Sequence, residues 1–228
     1  VAALVAVLIV GFGVFSIVST VQRNAAEAAA AEQAAKEKKA LEQQRVKPSK
    51  LGITAASFST PQSEWQQGVM PHLYQKDPSW AEKPYGGGTV AANACGPTCL
   101  NMVYVYLTGK TDFDPGTLAA WADERNYAPT GATEWAFMTE GAALLGLTGR
   151  NFWPARSTIT DALEAGEPVI VSVGAGDFTT LGHFIVLKSI DERGMVEVFD
   201  PNSPLTSSKR WGIQELLLQI TNAWAFSV

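Results

Sequence analysis

The chain has 228 residues, 46% of them apolar and 17% charged, with a formal net charge of −5. That apolar share excludes disorder throughout, and the length suits one or two domains. The acidic balance excludes a nucleic-acid binder working through a basic surface. Two Cys and two His exclude both a Cys/His zinc site with ligands to spare and a disulfide-dense scaffold.

Charge is unevenly spread. Residues 65–228 hold 10 Lys/Arg and 17 Asp/Glu, and all seven Trp lie there. Residues 1–21 carry no charge, and about 20 apolar residues at 1.5 Å rise span roughly 30 Å of hydrocarbon. Residues 1–22 are therefore expected to be a single membrane anchor, the alternative being a cleaved signal peptide. Residues 23–47, rich in Ala, Glu and Lys, read as a solvated helical stalk with no heptad seam. Residues 48–64, opened by Pro48 and rich in Ser and Thr, read as a linker.

The remaining residues, 65–228, are expected to form an α+β domain of helices followed by strands. Cys95 to Leu107 predicts a helix opened by Gly96-Pro97-Thr98. Asp114 caps a second helix running through LAAWADERN, with Pro115 in its first turn, and Thr133 caps a third running to Gly146. Ser157 to Ala165 is a short fourth. PVIVSVG, HFIVLKSI, MVEVF and AWAFSV then read as strands by their β-branched and aromatic content.

Chemistry concentrates at three points. A thiol at Cys95 faces the unpaired N–H groups of a helix start, which favour thiolate; the alternative is a small buried core Cys, which Cys99 fits better. A Cys95–Cys99 disulfide is poor geometry within a helix. His183 begins a strand after the loop GAGDFTTLG. If Asp191–Gly194 is a four-residue turn, Ile190 faces Met195, His183 faces Asn202 and Asp200 faces Ile185. Asp200 is then the diagonal neighbour of His183, within reach of a hydrogen bond, and Asn202 is a second possible orienter. A bulge would break this register. His72 has no partner in the sequence and reads as a surface or core residue. Gly86-Gly87-Gly88 lacks the Gly-Lys-Ser/Thr of a phosphate loop. No metal, nucleotide or other cofactor is expected.

The run Tyr74 to Trp80, Pro84-Tyr85-Gly86, Cys95 to Val103, Gly182 to Leu187, Val198 to Asn202 and Trp211 together resemble a papain-like cysteine peptidase domain. The family is related to the bacteriocin-processing peptidases that cut after double-glycine leaders, in its stand-alone "C-39-like" subset. The resemblance covers about residues 66–228. It implies helices packed on an antiparallel sheet, Cys95 as nucleophile, His183 as base, Asp200 as orienter and Gln75 as oxyanion donor beside the Cys95 N–H. Trp80, Gly182 and Asn202 are the candidate substrate contacts. Many relatives have Gly before the nucleophile, where this chain has Ala94. The expected activity is hydrolysis of a peptide or amide bond through an acyl-enzyme, on a peptide or peptidoglycan-like substrate outside the membrane. The alternatives are a transpeptidase using the same acyl-enzyme and a non-catalytic peptide or cell-wall binding module.

Overall fold

A computed structural model describes residues 57–228 and, before them, the helical Lys36. The expected anchor 1–22 lies outside the described residues, as do the stalk apart from Lys36 and the first part of the linker. Among the described residues no helix is long and apolar enough to cross a membrane.

The last eight residues of the expected linker are part of the domain. The Thr60 N–H donates to the His72 carbonyl (2.8 Å) and the Ser59 N–H to Asp77 Oδ2 (2.6 Å). The Tyr74 N–H in turn donates to Ser59 Oγ (2.9 Å), and buried Trp65 returns its indole N–H to the Thr60 carbonyl (2.8 Å). Short hydroxyl side chains here satisfy backbone groups across the domain surface, where composition alone reads as a tether.

Next comes a small hairpin, β1 (Pro84–Tyr85) and β2 (Gly88–Thr89), pairing Tyr85 with Gly88. Its two-residue turn needs positive φ at both centres, which Gly86 (57°) and Gly87 (71°) supply without a Cβ penalty. A single helical turn, α1 (Val90–Asn93), leads into α2 (Cys95–Thr108), the central helix. Ten consecutive residues of α2, Gly96 to Val105, are buried. It is enclosed by protein over most of its length, which its apolar sequence permits. Helix α3 (Pro115–Asp123) starts as the sequence predicts, with Asp114 Oδ1 accepting the Thr117 N–H (2.7 Å) in a capping box.

The expected single helix from Thr133 to Gly146 is instead two pieces. A 3₁₀ turn covers Trp135–Met138, and α4 covers Glu140–Leu144. Thr133 does not cap either one: its hydroxyl shares a hydrogen bond with the buried Tyr85 hydroxyl (2.8 Å). The remaining elements are β3 (Thr148–Phe152), α5 (Arg156–Glu164), β4 (Val169–Val173), β5 (His183–Ile190) and β6 (Met195–Phe199). They are followed by α6 (Pro204–Ser207), β7 (Arg210–Gly212), α7 (Ile213–Leu217) and β8 (Ile220–Ser227).

Six strands form one antiparallel sheet in the order β3-β8-β4-β5-β6-β7. Helix α2 packs against β5, and α5 against β4 and β5. Phe184 and Val186 of β5 join the cluster built on α2, together with Ile170, Trp224 and Phe226. The alternate residues Ile185 and Leu187 are also fully buried, so both faces of this strand are covered. That explains its near-continuous apolar run. The mixed α+β architecture expected from the sequence is present.

Candidate active site

Helix α2 delivers Cys95 at its first residue, and β5 delivers His183 at its first residue. Asp200 follows directly on the last residue of β6. The register that joins the last two is the expected one, reached by a different route. Ile190 pairs with Val196, not Met195, because the turn is one residue longer than expected. A bulge between Leu187 and Ser189 then absorbs the extra residue. Beyond it Leu187 pairs with Val198 and Val186 with Phe199, the predicted register. The two irregularities cancel, and His183 Nε2 lies 2.8 Å from Asp200 Oδ1, with both side chains almost fully buried.

Asp200 is held by more than the imidazole. Its Oδ1 also accepts the Asn202 N–H (2.8 Å), and its Oδ2 accepts the Thr206 hydroxyl. Its own N–H donates to Ser207 Oγ (2.9 Å). The short helix α6 supplies Thr206 and Ser207; it is capped by Ser203 and carries Pro204 at its start. Sequence reasoning missed this support, although Ser203-Pro204, three residues after Asp200, with Thr206 at i+3 from Ser203 is a helix-start signal.

While Nε2 is engaged by Asp200, His183 also interacts with Cys95. Burial alone pushes the Cys95 thiol up. The hydrogen bond and charge of His183, with the N–H groups of Phe184 and Gly96, outweigh it and bring the thiol below its ordinary value. For His183 burial works downward, but the Asp200 carboxylate and then Cys95 raise it to about 10. The two shifts point the same way, towards a thiolate–imidazolium pair at neutral pH. Cys99 is the contrast: buried one turn further on, it is pushed well above the ordinary thiol range by burial, then by the charges of Cys95 and Asp200. Neither cysteine is in a disulfide.

Ala94 adopts φ −93° and ψ 30°, a conformation open to any residue. Glycine is needed two residues later. A Cβ on Gly96 would lie 2.7–2.8 Å from three side-chain atoms of Thr133, so the loop at Thr133 closes directly over the start of α2.

Gln75 is buried, and its side-chain amide donates to the Ala91 carbonyl (2.7 Å), four residues before Cys95. Its backbone N–H donates to the Pro201 carbonyl (2.8 Å), next to Asp200. Gln75 therefore links the chain just before Cys95 to the chain just after Asp200. Of the three expected substrate contacts, Gly182 is exposed with open space where a side chain would be. Asn202 is partly buried and serves Asp200 through its backbone. Trp80 is buried, with its indole N–H committed to the Tyr74 carbonyl (2.8 Å), which makes it a strut for the Tyr74–Gln75 segment rather than an open ligand surface. His72 is stacked on Phe199 at 4.2 Å, and burial pushes its pKa down. No group of metal-ligating side chains occurs among the described residues.

The chain is similar to known proteins. The model of the Peptidase_C39 like family matches residues 69–226. Among solved structures the chain is similar to the peptidase domain of Streptococcus ComA, a bi-functional ABC transporter involved in a quorum-sensing pathway. Identity there is 22%, over 59% of this chain and 89% of that one, with a TM-score of 0.46. The peptidase domain of Streptococcus mutans ComA is 21% identical over 49% of this chain and 88% of that one, with a TM-score of 0.38. No curated protein matches. Over residues 69–226, which include all of Cys95, His183 and Asp200, this chain belongs to the Peptidase C39-like family.

Proposed function

We propose that the chain is a cysteine peptidase that cleaves a peptide bond through Cys95, His183 and Asp200. One observation carries the reading: His183 Nε2 lies 2.8 Å from Asp200 Oδ1, and interaction between His183 and Cys95 lowers the thiol and raises the imidazole. In the reaction the Cys95 thiolate attacks the scissile carbonyl carbon, and the carbonyl electrons move onto oxygen. The Cys95 N–H and the second amide hydrogen of Gln75 are suited to receive that oxyanion. The intermediate collapses with transfer of the imidazolium proton to the leaving amine, giving a thioester. His183, now neutral, takes a proton from water as the hydroxide adds to the thioester, and the carboxylic acid leaves with the thiolate restored.

The uncharged run 1–21 supports a wider proposal: a single-pass anchor with the peptidase outside the cytoplasm, acting on peptides or on peptidoglycan stems. The direct test uses the full chain, reduced, with a peptide library and with peptidoglycan fragments. Cleavage lost in Cys95→Ala and in His183→Ala supports the reading. Folded, reduced protein whose turnover matches that of Cys95→Ala overturns it in favour of a binding module.

A further inference from the structure

The first residue of β5 and the residue after β6 share a support that lies outside the triad. Thr206 is fully buried on α6 and, among the described residues, is the donor found on Asp200 Oδ2. Its amide is fixed by the α6 cap, Ser203 Oγ (3.3 Å), and its carbonyl accepts the indole N–H of Trp211 (2.9 Å). Trp211 is fully buried and leans on Phe178 at a ring separation of 4.5 Å. Phe178, also fully buried, belongs to the loop that ends at His183. That loop is clasped a second time by Gln219, whose Oε1 accepts the Asp177 N–H (2.6 Å) and whose Nε2 donates to Asp177 Oδ2 (2.9 Å). The base and its orienter thus rest on one continuous line of contacts: Phe178, Trp211, Thr206, Asp200.

We infer that Thr206 is a positioning residue for the thiolate–imidazolium pair, acting through Asp200; this rests on the cysteine-peptidase reading. A carboxylate has two oxygens and a soft terminal torsion. On Asp200, Oδ1 serves His183 and the Asn202 N–H, and among the described residues Oδ2 has the Thr206 hydroxyl alone. Hydrogen bonds to a charged acceptor are the strong ones, and a side chain this deep has no water to replace a lost donor. Removing the hydroxyl frees the carboxylate to turn from the line that faces Nε2, and the imidazolium loses part of its support.

The experiment measures the alkylation rate of Cys95 against pH in the full chain, with no peptide substrate. Thr206→Val, which swaps the hydroxyl for a methyl of similar size, is expected to slow the reaction near pH 6 about tenfold and to move its inflection up by about one pH unit. Thr206→Ser keeps the hydroxyl and stays within about twofold of wild type. Thr206→Ala takes the place of valine if the latter does not fold. A purely structural role lowers the melting temperature and leaves the inflection in place, and that result overturns the inference, as does equal slowing of the Val and Ser variants. Wild-type Cys95 reacting no faster than Cys99 refutes the peptidase reading itself, a different outcome from wild-type speed in both.

Discussion

Replacing Asp200 with Asn preserves the shape at His183 and removes the charge. The Nε2–Oδ1 distance is 2.8 Å, and the two side chains are 5% and 0% exposed. With charge centres about 4 Å apart, the attraction is on the order of 4 kcal/mol at an effective dielectric constant of 20. At 1.36 kcal/mol per unit this corresponds to about three pKa units. Burial alone would lower His183, and the Asp200 charge is the largest influence raising it to about 10. The Asn variant is therefore expected to return the ring towards, or below, its ordinary range. A neutral ring no longer supports a thiolate, so the thiol rises from its lowered value towards roughly 8.5. Near pH 6 the reactive fraction then falls by up to about a hundredfold. The assay is the second-order alkylation rate of Cys95 by iodoacetamide from acid to alkaline pH, read by peptide mapping, for wild type and Asp200→Asn. Superimposable profiles, or a shift under about half a unit, refute the electrostatic reasoning.

Gly96→Ala places a methyl 2.7 Å from Thr133 and should cost about 1–3 kcal/mol of stability, with a loss of Cys95 reactivity beyond tenfold; wild-type melting and reactivity would contradict the close approach. Asp77 is pushed up by burial, yet the Ser79 and Ser59 N–H groups bring it below its ordinary value. A lowered carboxyl contributes stability that is present above its unfolded pKa and is lost as pH falls through the folded one. Amide exchange at Ser59, corrected for its intrinsic pH dependence, should therefore accelerate on acidification, and Asp77→Asn should show the fast rate at neutral pH. Protection at Ser59 that ignores both changes removes the tie between the segment 57–61 and the domain.

Local chemistry was readable where one residue type has one use. Asp114 with Pro115 announced a capped helix start, and the β-branched runs at 169–173 and 183–190 announced strands. The pairing of His183 with Asp200 followed from alternation and turn position. It survived an error in the turn because the bulge near Lys188 offset it. Strand β3, TGRNF, was illegible: it is an edge strand with mostly exposed residues, and its only ladder partner comes from β8, some 75 residues away in sequence. Thr133 was misread because a hydroxyl before a helix suits a cap, and only the folded chain brings Tyr85 to it. Thr206 was invisible for the same reason: its meaning lies in a carboxylate across a turn.

The sheet order carries a consequence for how the protein is made. Among the described strands β8 is the last in sequence, yet it lies inside the sheet, between β3 and β4. Without it that slot is empty: β3 has no ladder partner and β4 has one open edge. Filling it joins Thr148 to Ser227, a long closure that slows the last step of folding. Filling it also seats Trp224 against Phe184, whose amide faces the sulfur. The surroundings of Cys95 thus depend on the described strand that comes last in sequence.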